Sequence, residues 1–278
     1  MKSILVPVED HTLMQAVLET AVLLGRVLDG HLEGLAITPN VPPYIASDVA
    51  IGDITALDPE VRREQARTSL RLYETFMADR DVPASDTVTS GLSFGWQEVD
   101  PAEDDMVGSY ARAFDITVLG RPGDRPNYPR PATTESVLFD SGRPALIAPP
   151  AALRTLGERV MIAWNRSAET ARTVALAMPL LAKAHRIVVI EVEAWGVSGP
   201  SAQHLAVTLR RNGLPAETRT IPNPHGRAGA AILSAAASLG CDLLVKGAYT
   251  QSRWRQMILG GATNHILSNT TVPVFMAH

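Results

Sequence analysis

The feature that most constrains this chain is that it repeats itself. "ILVPVEDHTLMQAVLETAVLLG" at 4–25 can be laid on "VMIAWNRSAETARTVALAMPLL" at 160–181. Each has an apolar run of strand length, a short polar group, then an Ala/Leu-rich segment with helical spacing. "FDITVLGRPG" at 114–123 matches "CDLLVKGAYT" at 241–250, and "RPALIAP" at 143–149 matches "VPVFMAH" at 272–278. Three matches in the same order indicate a tandem duplication. Few individual residues are identical, so the order and the punctuation carry that inference, and the architecture must be one that both halves specify.

Each half alternates strand-like and helix-like segments. The second half predicts strands at 159–164, 186–193, 215–221, 242–246 and 273–277, and helices at 168–183, 200–212, 227–239 and 261–269. The first half predicts strands near 2–8, 31–37, 85–90, 115–119 and 144–148, and helices at 12–28, 59–80, 100–113 and 133–140. Runs such as "RIVVIEV" and "DLLVKG" are almost continuously apolar and rich in β-branched residues, as befits strands covered by helices on both faces. The fold class is therefore α/β: two tandem doubly wound, Rossmann-like domains, each a five-stranded parallel sheet flanked by helices. The domains are expected at 1–150 and 157–278, joined around "APPAALRTLGER", where Pro149 and Pro150 stop a strand. One sheet per half is expected, with Gly120 and Gly247 at equivalent places. The Pro-rich excursion at 38–59 has no counterpart in the second half and reads equally as a lid or a solvated linker.

Composition narrows the function classes. In 278 residues, 46% are hydrophobic and 19% charged, which suits packed cores rather than disorder. A net charge of −4 without a basic cluster argues against a nucleic-acid binder. No apolar run approaches membrane-span length, and "MKSILVPVED" lacks the apolar stretch of a signal peptide. The only cysteine, Cys241, rules out an intramolecular disulfide and fits a reducing compartment, so a cytoplasmic location is expected. The seven histidines show no metal-ligand spacing, and no nucleophile elbow or Cys/His pair appears.

In a doubly wound sheet, ligands bind beyond the carboxyl ends of the strands where the strand order reverses. The loops after strands one and four should meet there. After strand one the first half presents Glu9-Asp10-His11 and the second half Asn165-Arg166-Ser167. After strand four come glycine loops beginning at Gly120 and Gly247.

Both halves resemble the universal stress protein domain. Nucleotide-binding members of that family carry G-x-x-G, nine residues, then G-S or G-T, with an Asp after strand one. In such a motif the first glycines let backbone approach phosphate oxygens. The later ones open a helix whose free N–H groups favour an anion. Laid on this pattern, the second half supplies Gly247, Thr250 for the second glycine, Gly260, and Gly261 where a hydroxyl belongs. Thr263 stands two residues on, and Asn165 replaces the ribose-binding acid. Arg166 is placed either to pair with phosphate or to fill the pocket. The first half supplies Gly120 and Gly123, then Thr133 for the third glycine. Thr134 keeps the hydroxyl, Glu9 takes the acid's place, and Ser136 is the counterpart of Thr263. Glu135 would repel a phosphate at that helix start.

The resemblance implies a stress-response regulatory or binding module with an altered site for ATP or AMP, magnesium accompanying the nucleotide. It implies at most weak ATP hydrolysis. Neither half keeps the motif intact, and the second is the better candidate because Gly260-Gly261 leaves the helix N-terminus open. It also implies that "PALIA" and "PVFMA" pair between the halves as an internal pseudo-dimer, with a homodimer as a further expectation and an unidentified protein as partner. Two alternatives stand beside it: an interaction module that binds no nucleotide, and an enzyme of a related doubly wound nucleotide-binding class. The latter would need a phosphate-activating motif such as H-x-G-H.

Overall fold

In a computed structural model the described residues are 1–38, 58–85, 87, 90–97, 102–103, 105–123, 127–151, 153–248 and 261–278. The excursion at 38–59 lies largely outside them. The first half runs β1 (Ser3–Val8), α1 (Met14–Leu28), β2 (His31–Thr38), α2 (Pro59–Ala78), β3 (Ser93–Trp96) and β4 (Ala102–Glu103). It continues with α3 (Val107–Ala111), β5 (Ile116–Gly120), α4 (Pro131–Asp140) and β6 (Ala145–Ala148). The second half runs β7 (Arg159–Ala163), α5 (Ala168–Leu181), β8 (Arg186–Val192), α6 (Ala202–Arg211) and β9 (Ala216–Ile221). It ends with α7 (Ala228–Ser238), β10 (Leu243–Gly247), α8 (Gly261–Asn269) and β11 (Val274–Ala277).

The strands lie side by side as β3-β2-β1-β5-β6-β11-β10-β7-β8-β9, with β4 beside β2. Within each half the five main strands are parallel and follow one order, third-second-first-fourth-fifth. The expectation of one sheet per half is corrected: β6 and β11 pair antiparallel, so a single sheet crosses the molecule. The two apolar terminal strands would otherwise be bare edges, and each covers the other. The duplication nevertheless survives, because the strand order repeats and Gly120 and Gly247 both close a fourth strand.

Atomic detail repeats as well. The Asp115 carboxylate accepts from the amides of Lys2 (2.6 Å) and Ser3 (3.1 Å). The Asp242 carboxylate accepts from those of Glu158 (3.2 Å) and Arg159 (2.9 Å). In both halves an acid ahead of strand four thus ties down the start of strand one.

Alternation along the strands builds two cores. Ile4, Val6 and Val8 face α1, α2, α5 and α6, while Leu5 faces the layer of α3, α4, α7 and α8. The N-caps show why the helices begin where they do. Asp58 accepts from the amide of Glu60, with Pro59 following, and Ser167 accepts from the amide of Thr170.

Two expectations fail in the first half. The third strand is Ser93–Trp96, not 85–90; Ser85, Thr87 and Ser90 are outside any strand. The Thr/Val content of 85–90 imitates a strand. The real one is fixed by Tyr73, whose ring meets Phe94 and Trp96 at 5.7 and 5.6 Å. The helix expected at 100–113 shrinks to Val107–Ala111, with β4 ahead of it. No described helix is long and apolar enough to cross a membrane.

Candidate functional site

In each half the strand order reverses between the first and fourth strands, so the loops after β1 and β5, and after β7 and β10, meet at the carboxyl rim. The two rims differ in what fills them.

In the first half the chain covers its own glycines. A Cβ on Gly120 would sit 2.4 Å from Cγ of Pro129, and one on Gly123 would sit 2.7 Å from Cδ1 of Tyr128. The close approach that a bare glycine allows is thus taken by the proline and tyrosine rings. Asn127, in the left-handed region at φ 62°, turns its carbonyl onto the strand-one loop, where the amide (2.9 Å) and hydroxyl (3.1 Å) of Thr12 donate to it. Glu9 is only 5% exposed. Its carboxylate accepts from the Thr133 hydroxyl at 2.6 Å and lies 3.6 Å from the Arg130 guanidinium. Ser136 donates to the carbonyl of Asp105 (2.6 Å) and accepts from the Gly108 amide (2.9 Å), knitting α4 to α3. Thr134 is buried. His11, beside this cluster, is driven down to about 4 by burial and by the charge of Arg130, so it is neutral at pH 7.

The second half is built differently. Asn165 spends its side-chain oxygen on the loop, accepting from the Ser167 amide (3.2 Å) and the Thr170 hydroxyl (2.5 Å). Arg166 takes a left-handed conformation, φ 68°, and its Nε donates to Glu191 at 2.9 Å. Arg166 and Glu191 flank a cavity of about 530 Å³ that also takes in Glu193, Trp195, Ser198 and Thr220. Ala194 (φ 54°) and Gly196 (φ 124°) line it too, both at positive φ. Glycine is needed at 196, because a Cβ there would meet the Asn165 carbonyl oxygen at 2.7 Å. Two non-glycine residues held at positive φ beside one cavity are the kind of local cost that clusters at binding sites.

Gly247 is bare for packing: a Cβ would lie 2.6 Å from the Thr170 amide nitrogen, at the start of α5. Gly261 has open space where a Cβ would go. Thr250 and Gly260 lie outside the described residues. Thr263 does not stand free; its hydroxyl accepts from Nζ of Lys246 at 2.7 Å. Sequence reasoning missed that lysine. Read along β10, it is one polar residue in an apolar strand, and only the period of two puts it on the same face as Leu244, under α8.

Residues 157–278 match the model of the universal stress protein family. The second half is a universal stress protein domain. Among solved structures, the chain is similar to a universal stress protein from Archaeoglobus fulgidus, at 16% identity and TM-score 0.69, over 99% of this chain and 96% of that one. It is also similar to a functionally unknown protein from Pseudomonas aeruginosa, at 16% identity and TM-score 0.55, over 100% and 92%. Those likenesses speak for the fold, and both extend across the two halves. No curated protein matches the sequence. The first half closes its rim with Pro129, Tyr128 and Arg130, whereas the counterpart segment of the universal stress protein domain, 249–260, lies outside the described residues.

Proposed function

We infer that the chain is a tandem universal stress protein acting as a regulatory binding module, in which the second half binds an adenine nucleotide, ATP or AMP, and the first half serves as scaffold. The cavity at the second rim carries this reading. Pro129, Tyr128 and the Glu9–Thr133 bond occupy the first rim. The second keeps a cavity of about 530 Å³ and a helix start, Gly261, with room in front of it. The cavity size suits a nucleoside-sized ligand. Arg166, Glu191, Glu193 and Thr220 offer donors and acceptors for a base and ribose. The first turn of α8 offers N–H groups to phosphate, with magnesium as the phosphates' companion. A module of this kind would work in the cytoplasm through a protein partner. Its output would be the bound state rather than turnover.

The test is mass spectrometry of ligand released from freshly purified protein, with calorimetry using ATP and AMP. Gly261→Glu is the informative variant. A carboxylate in the first turn of a helix favours folding yet repels phosphate, and a Cβ at 261 meets nothing within 4 Å. The expected result is nucleotide binding by the parent and its loss in a variant of undiminished thermal stability. A parent that binds neither nucleotide at millimolar concentration leaves the interaction module as the better reading.

A further inference from the structure

Lys246 is only 4% exposed. Its Nζ donates to two neutral oxygens, the carbonyl of Gly247 and the hydroxyl of Thr263, each at 2.7 Å. Among the described residues no carboxylate pairs with it. A buried ammonium without a counter-ion is strongly disfavoured. The fold does not require it, because the other half holds Leu119 at the equivalent place, 3% exposed and inside the core. The charge also lies against the positive end of α8, which opposes it again. Burial without a counter-ion and the positive end of α8 thus both disfavour one cation at the point where the sheet's strand order reverses, and an anion would relieve both.

We propose that Lys246, with the first turn of α8, is an anion anchor that makes the second-half site select phosphorylated ligands over their uncharged counterparts. The inference deepens the nucleotide reading and rests on it for the position of the ligand, but the phosphate itself, not adenine, is what Lys246 recognises. The surroundings support the assignment. Met276 pairs beside Lys246 on β11, β7 ends nearby at Ala163, and α7 carries no titratable group. The titratable side chain of α8 is His265, which is exposed. Burial alone brings the lysine from 10.5 down to about 8, so an arriving anion would draw a proton onto it.

The experiment is calorimetry of the full chain with tripolyphosphate, ATP and adenosine, at pH 8 in two buffers of different ionisation enthalpy, for the parent and for Lys246→Met and Lys246→Gln. The parent should bind tripolyphosphate and ATP with proton uptake, and adenosine at least about tenfold more weakly than ATP. Lys246→Met, which imitates Leu119, should lose about tenfold or more in affinity for both phosphorylated probes, lose the proton uptake, and keep its adenosine affinity. Thermal denaturation of both variants guards against unfolding as the cause. Unchanged ATP and tripolyphosphate binding by folded variants would overturn the anchor while leaving the nucleotide reading intact. Tripolyphosphate binding that depends on Lys246, without any added affinity for ATP, would uphold the anchor and sink the nucleotide reading.

Discussion

Lys246 makes a prediction about stability that is independent of any ligand. Its folded-state value lies near 8, below the ordinary 10.5. Below pH 8 the amine is charged in both folded and unfolded chains, and the burial cost is constant. Between pH 8 and about 10 the folded chain sheds the proton first, so stability climbs with pH. Lys246→Met should therefore stabilise the protein by roughly 1–3 kcal/mol at pH 7, less whatever the orphaned Gly247 carbonyl costs. The gain should shrink as pH rises toward 10, as urea denaturation at several pH values would reveal. Asp115 has the opposite sign. Partial burial raises it, but the amides of Lys2 and Ser3, with the N-terminal and Arg143 charges, bring its carboxyl below the ordinary value. Its contribution is present above pH 4 and lost as pH falls through the depressed value. Asp115→Asn should cost about 1 kcal/mol at pH 7, since the site is partly exposed and screened, and should flatten the acid limb of the stability profile.

At the scale of elements, glycines that a motif marks as ligand contacts also make close packing contacts. Gly247 lets the start of α5 reach the end of β10, its missing Cβ lying within 2.6 Å of the Thr170 amide. Gly247→Ala should push the helix off the strand and cost roughly 1–3 kcal/mol, read as a lowered denaturation midpoint. Most elements were legible in the sequence because their apolar periods are long and unbroken. The helices 59–80 and 261–269 and the strand 186–193 came out within about two residues of the observed bounds. The third strand of the first half was not legible. "SFGW" has no alternation to announce it, and its place depends on Tyr73 arriving from α2. The site was legible in outline only. The sequence names the loops that meet at each rim, but not that Pro129 and Tyr128 lie down on Gly120 and Gly123, nor that Lys246 turns under α8.

At the scale of the molecule, the two halves share one sheet through β6 and β11. The register pairs Val274 with Ile147, Phe275 with Leu146 and Met276 with Ala145. If "ALIA" and "VFMA" are taken as equivalent strands, that pairing is symmetric about Phe275 and Leu146, so the junction is a pseudo-twofold axis inside one chain. Both residues are fully buried. Phe275→Ala should cost about 3–5 kcal/mol, read as a lowered midpoint of calorimetric unfolding. Among the described residues β9 is an uncovered edge, and it carries Glu217 and Arg219 on its length, which discourages edge pairing; at the other end Phe94 of β3 bonds to Pro83 and Ser85. A homodimer, if formed, would use surfaces other than the terminal strands that first suggested it.

The sequence by itself determined the duplication, the alternation of strands and helices, and the loops that face the carboxyl rim. All three follow from short-range periods and from the punctuation of Gly and Pro, which need no knowledge of distant residues. The tertiary structure alone decided that the first rim is filled, which side chains neutralise or fail to neutralise each other, and that two sheets become one. Those outcomes turn on contacts between residues far apart in the chain, where a proline ring, a buried amine or an uncovered edge meets whatever the fold brings beside it.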